Sequence, residues 1–188
     1  MLALTFDDGP DPEWTPRLLD ALERADARAT FFPIAARAAE HPDLVRRILA
    51  GGHAVGLHCH EHIRHSERSV EWGRGDTARA LDTLRSLGVR PSLWRTPWGD
   101  TAGWSARVAQ ENLLRIVDWT VDTHDWRGDS AQAMWRATAE DLRAGAIVLA
   151  HDGIGPGARR GDARETVAYV SLVAAHAGAR GLELEALQ

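Results

Sequence analysis

Apolar positions in this chain come in short blocks, each closed by a polar or turn-forming cluster. Leu2–Phe6 alternates and stops at Asp7-Asp8-Gly9-Pro10, which predicts a strand feeding a turn. Thr15 followed by Pro16 reads as a helix N-cap and first position, and Leu18, Leu19, Leu22 and Ala25 give that helix one apolar stripe. Ala29–Phe32 predicts a second strand. Pro42 opens a helix carrying Leu44, Val45, Ile48 and Leu49, and Gly51-Gly52 stops it. His53–Leu57 is a short strand running into a histidine-rich loop. Asp76–Leu87 is helical, Ser92–Arg95 a strand, Ser105–Glu111 a short helix, and Leu114–Val117 a strand continuing towards Asp122. Asp129 or Ser130 caps a helix to Arg143. Ala146–Ala150 is an apolar strand, Arg164–Ala177 a helix, and Leu182–Glu185 a last strand.

Strand and helix thus alternate along nearly the whole chain, which predicts a parallel α/β sheet, open or closed. No linker, repeat or low-complexity tract interrupts residues 1–188, so one domain is expected. The chain is short for an eight-unit barrel of about 250 residues. The polar clusters Asp7-Asp8, His58–His65, Arg95, Asp122–Asp125 and His151-Asp152 all follow predicted strands. Loops after strands carry the site in parallel α/β folds, so clusters distant in sequence are expected on one face.

Composition narrows the function classes. Of 188 residues, 44% are hydrophobic and 26% charged, as in a folded globular chain, and no apolar run is long enough to span a bilayer. The formal net charge of −5, with no basic stripe, argues against nucleic acid as a partner. A single cysteine, Cys59, excludes an internal disulfide. The first residues enter the strand pattern with no basic-then-apolar leader, so no export signal is expected in this chain.

Each polar cluster has a plain reading and a chemical one. Asp7-Asp8-Gly9-Pro10 is turn chemistry; it is also two carboxylates whose mutual repulsion calls for a cation. His58 and His62, at i and i+4, would share one face of a helical turn, as in many zinc sites; a third ligand from another strand end would leave one position open. Cys59 would face away from them. Arg95 is a fixed cation or an ordinary surface arginine. Asp125 is a functional carboxylate or part of a capping segment. His151 is a general acid or base, or a satisfied structural histidine.

Taken in order, Thr5-Phe6-Asp7-Asp8-Gly9-Pro10, His58-Cys59-His60-Glu61-His62, Arg95-Thr96-Pro97-Trp98-Gly99, Asp122-Thr123-His124-Asp125-Trp126 and Leu149-Ala150-His151-Asp152 closely resemble the five motifs of the polysaccharide deacetylases, the NodB-homology domain of carbohydrate esterase family four. The resemblance implies a distorted barrel of about seven β/α units. It implies one divalent metal, zinc first with cobalt, manganese or nickel as substitutes, held by Asp8, His58 and His62. Asp7 would be the general base, paired with Arg95. His151 would be the general acid, paired with Asp125. Trp126 and Leu149 would line a pocket for the acetyl methyl, and the Trp98 N–H would join the metal around the oxyanion. The implied substrate is the N-acetyl amide of an amino sugar in a glycan, such as a chitin oligomer or peptidoglycan, with acetate released. An amide is a poor electrophile and an amine a poor leaving group, so a Lewis acid, a base for water and a cationic acid for nitrogen are the groups such a reaction needs.

This chain departs from the family pattern at Trp98, where tyrosine is commoner, and at Leu57, where asparagine is frequent. His60 and His65 receive no role, and His124 is expected to face solvent. Trp98 and Trp126 are the candidates for a sugar groove; Trp104 and Trp135 are expected to pack. The rival readings are a cyclic-amide hydrolase on the same fold and a non-catalytic glycan- or metal-binding module. The family mostly acts outside the cytoplasm or on the cell envelope, which conflicts with the missing leader and leaves the compartment open, as are the oligomeric state and the N- versus O-acetyl preference.

Overall fold

Strand β1 (Ala3–Asp7) has every residue buried, its closing aspartate included. The computed structural model describes all 188 residues and places β1 at the middle of a five-stranded parallel sheet. Its neighbours are β2 (Ala29–Phe32) and β7 (Ile147–His151), with β3 (Ala54–Val55) and β6 (Val121–Asp122) outside them. A strand covered on both faces must be apolar throughout, which is why Ala29-Thr30-Phe31-Phe32 and Val148-Leu149-Ala150 read as runs. Two further strands, β4 (Leu93–Trp94) and β5 (Arg115–Ile116), pair with each other, and a parallel bridge between Leu57 and Trp94 joins them to the β3 side. The seven strands therefore curve into a distorted barrel with one unpaired seam between β5 and β6.

Around the strands lie α1 (Trp14–Arg24), α2 (Ala35–Glu40), α3 (Pro42–Ala50), α4 (Val70–Ser86), α5 (Ser105–Glu111), α6 (Ala131–Thr138) and α7 (Arg164–Ala179). The main core is a continuous apolar cluster that includes Leu2, Leu4, Phe6, Leu22, Phe31, Ile48, Leu57, Trp94, Val148 and Val173, with a small separate cluster of Phe32, Leu93 and Val117. Parallel pairing aligns the carboxyl ends of the strands, so Asp7, Phe32 and His151 stand side by side in register.

Several sequence expectations need correction. Thr15 does not cap α1. The N–H groups of Glu13 and Trp14 at its start donate to Asp11 Oδ1, while Thr15 is buried inside the first turn and donates to Asp152. Helix α2 is unforeseen because its Ala-rich run has no strong apolar stripe. Helix α4 begins six residues before Asp76, capped by Ser69; Gly73 and Gly75 masked it, and a Cβ at Gly73 would strike Trp104 at 2.3 Å. Helix α6 ends at Thr138, short of Arg143. The single strand expected from Leu114 towards Asp122 is two, β5 and β6, and the last strand is reduced to a bridge between Leu2 and Leu184.

Candidate active site

The carboxyl ends of β1 and β7, with the loops after β3, β4 and β6, enclose a cavity of about 450 Å³. Asp7, Asp8, His58, His62, Trp98, Trp126, Leu149 and His151 all line it. Arg95 and Asp125, the two expected partners, stand behind it and are buried.

Asp8 follows the last residue of β1 in a left-handed conformation (φ 72°), which turns its carboxylate away from the strand direction. Its Oδ1 lies 3.4 Å from His58 Nε2 and 3.2 Å from His62 Nε2. The two histidines do not share a helical turn; residues 58–62 form an irregular loop after the Leu57 bridge, and the loop rather than a helical period brings both rings to one carboxylate. Cys59 pairs in a bridge with Ile34 and is buried outside the cluster.

The three side chains suit a divalent cation. One ligand atom from each falls within 4.8 Å of the others, and Asp8 Oδ1 is buried with no hydrogen-bond donor. His58 Nδ1 lies 2.6 Å from the Arg95 carbonyl, which can only accept, so the neutral ring carries its proton there and presents the Nε2 lone pair to the cluster. Burial works to raise the Asp8 pKa, but the two imidazoles outweigh it and hold the carboxyl well below its ordinary range.

Arg95 is wholly buried and spends its donors across the barrel. Nη1 reaches Asp7 Oδ1 at 3.0 Å and the Thr5 hydroxyl at 2.6 Å, and Nη2 reaches the Asp118 carbonyl at 3.1 Å. At the neighbouring strand end, His151 Nδ1 lies 2.7 Å from Asp125 Oδ1. Burial alone would depress the His151 pKa, but the Asp125 charge and hydrogen bond overcome it and push it up to about 9. Burial likewise opposes charge on Asp125, yet His151, Arg160 and Thr166 hold its carboxyl down at about 2.

Trp98 sits in a left-handed turn and is 39% exposed. Its ring meets His62 edge-on at 4.1 Å and carries the Arg64 guanidinium at 4.5 Å, and its N–H donates to no backbone acceptor. Arg127 and Arg159 lie near the Trp126 ring. His65 is buried, stacked on Trp104 and bonded to Ser105, and so is structural. Trp104 packs as expected, Trp135 lies against His176, and His124 is about one-third exposed.

Sequence reasoning missed Arg160, whose Nη1 donates to Asp125 Oδ2 at 2.9 Å, and Thr166, which donates to the same oxygen at 2.7 Å. It also missed Arg64, Trp119 and the Gly153–Gly157 segment as cavity walls. Only the glycine density of that segment, directly after His151-Asp152, signals a close backbone approach.

Residues 1–117 match the polysaccharide deacetylase family. The chain belongs to that family. A chitooligosaccharide deacetylase of Azorhizobium caulinodans is 33% identical over 98% of this chain and 91% of its own length. A peptidoglycan-N-acetylglucosamine deacetylase of Bacillus cereus is 35% identical over 80% of this chain, which spans 55% of that longer protein. Among solved structures, a family 4 carbohydrate esterase from Streptomyces lividans in complex with acetate superposes with a TM-score of 0.87 at 30% identity, covering 97% of this chain and 90% of that one. The distorted barrel is thus the fold of a carbohydrate-esterase relative. No helix is long and apolar enough to cross a membrane.

Proposed function

We propose that this polysaccharide deacetylase family member hydrolyses the N-acetyl amide of an amino sugar in a glycan, releasing acetate. The observation that carries the reading is that two hydrogen-bonded pairs, Asp7 with Arg95 and His151 with Asp125, stand on neighbouring strand ends and share one cavity with the Asp8–His58–His62 cluster.

Asp8, His58 and His62 would hold a divalent cation, zinc foremost. Such an ion supplies a Lewis acid towards an amide carbonyl and makes water acidic near neutral pH. Asp7 accepts the proton of the attacking water, and Arg95 fixes its Oδ1 by a hydrogen bond. His151, with Nδ1 committed to Asp125, offers a proton from Nε2 to the departing nitrogen. One water and one amide become acetate and an amine. The Trp98 N–H is a candidate donor to the tetrahedral oxyanion, an interaction worth about 3–4 kcal/mol where geometry is good. Trp126 and Leu149 form the apolar lining for the acetyl methyl. The named relatives, a chitooligosaccharide and a peptidoglycan deacetylase, support a glycan as the partner.

The test is metal content by elemental analysis, together with acetate release from chitin oligomers with and without chelator. About one metal per chain and chelator-sensitive acetate release support the reading. Metal without acetate release from any N-acetylated glycan sinks it.

A further inference from the structure

Asp8 is the only carboxylate among the three clustered ligand candidates, and its backbone is held from two sides. Its N–H donates to the Phe32 carbonyl at 3.2 Å. Its own carbonyl accepts from Arg37 Nη1 at 2.8 Å. Arg37 stands on α2, and its other terminal nitrogen, Nη2, donates to the Ile154 carbonyl at 2.9 Å. Ile154 belongs to the Gly153–Gly157 segment of the cavity wall.

That segment presses on the carboxylate itself. A Cβ at Gly155 would fall 1.8 Å from Asp8 Oδ2, and one at Gly153 would fall 2.5 Å from the Asp8 carbonyl oxygen. The two carboxylate oxygens therefore have different surroundings. Oδ1 faces His58 and His62, whereas Oδ2 rests against bare glycine backbone.

We infer that Arg37 is a positioning residue for this carboxylate: by clamping the Asp8 and Ile154 carbonyls together, it seats the glycine segment on Oδ2 and so aims Oδ1 at the two imidazoles. The inference rests on reading Asp8, His58 and His62 as a metal site, and adds a residue that does not line the cavity. The planar guanidinium is suited to this task because its terminal nitrogens form a rigid fork; a lysine ammonium supplies one point of attachment.

The sign of the effect separates positioning from charge. Arg37 is a cation near a cation site. Acting by charge alone, its removal would tighten metal binding. Acting by position, its removal weakens it.

Zn²⁺ affinity is measured by competition with a chromophoric chelator for the full chain and for R37M, R37K and G155A, with the visible spectrum of the Co²⁺-loaded proteins as a second readout. Supporting positions around a metal ligand typically contribute 10–100-fold in affinity, so R37M is expected to weaken binding about tenfold or more, with R37K recovering only part. G155A moves affinity the same way, and the Co²⁺ bands shift in both. The R37M/G155A double variant loses less than the product of the single losses, because both act through one carboxylate. Thermal melts of the metal-free proteins establish that each variant folds. Unchanged or tighter binding in folded R37M overturns the proposal, and so does unchanged affinity in G155A. A parent chain that binds no metal removes the premise as well; a parent that binds metal no better than R37M removes only the role of Arg37.

Discussion

His151 and Asp125 share a 2.7 Å contact, and the far oxygen of the same carboxylate receives both Arg160 and Thr166. Asp125 is thereby saturated on the side away from the cavity, and its orientation towards the imidazole is set before any substrate arrives. This arrangement gives the acid of the proposed reaction a defined pH range.

With His151 raised to about 9, kcat/KM for acetate release is expected to stay level to about that pH and to fall above it, as the imidazolium loses its proton. In Asp125→Asn the largest opposition to burial is gone, so the alkaline limb moves to lower pH. A limb at the same pH in both proteins would remove His151 from the role of acid. The linkage has the same sign. The folded value lies above the ordinary 6.5, so the raised His151 pKa contributes its stability fully below pH 6.5 and loses it as pH rises through about 9.

Asp7 and Asp8 are neighbours with different tasks, and two substitutions separate them. Asp7→Asn keeps an acceptor for Arg95 and is expected to retain metal while losing about a hundred- to ten-thousand-fold in kcat. His58→Ala is expected to lose metal and activity together. Elemental analysis of both variants checks this; metal loss in Asp7→Asn would show that the division between base and ligand is wrong.

Arg95→Met removes a buried cation and leaves the Asp7 carboxylate without its partner in the barrel interior. Breaking such a pair costs about 3–5 kcal/mol, so chemical denaturation should show a loss of that size alongside the loss of turnover. A variant with parental stability would mean that the Arg95 bonds to Asp7, Thr5 and Asp118 contribute little to the fold.

His53 makes the fold sensitive to mild acid. Its Nδ1 accepts from the Ala29 N–H at 3.2 Å, and burial, aided by Arg28, lowers its pKa to about 4. Above pH 6.5 the ring is neutral in both folded and unfolded chains and contributes nothing to the pH dependence. As pH falls from 6.5 towards 4, the unfolded chain takes up a proton that the folded one refuses, and stability declines through that window. The His53 Hε1 resonance should titrate near 4 in the folded protein; a midpoint at 6.5 would refute the argument.

What could be seen beforehand follows a physical division. β1, β2, β7 and α5 were legible because a doubly covered strand must be apolar and a short amphipathic helix has its stripe. The strand-end placement of Asp7, Arg95, Asp125 and His151 followed from parallel topology. α2 and the first turns of α4 were hidden by small residues, which bury little and leave no period to read. The loop that joins His58 to His62 reads as a helical turn from its spacing alone, because i and i+4 serve either geometry. Arg37 and Arg160 were invisible for a further reason. Arg37 bonds to backbone carbonyls, and every residue has one, so nothing in the side-chain order records the pairing. Arg160 reaches a carboxylate 35 positions away from a loop without period.

The seam between β5 and β6 gives Arg95 a second meaning. Its guanidinium reaches from Thr5 and Asp7 of β1 to the carbonyls of Val117 and Asp118 just after β5, tying the central strand to one side of the seam from inside. Structural necessity and the proposed chemistry therefore converge on one arginine. A descendant that abandoned the proposed hydrolysis could dispense with Asp7 or His151 and still hold its barrel, but it would be expected to keep Arg95, so the arginine would outlast the activity proposed for it.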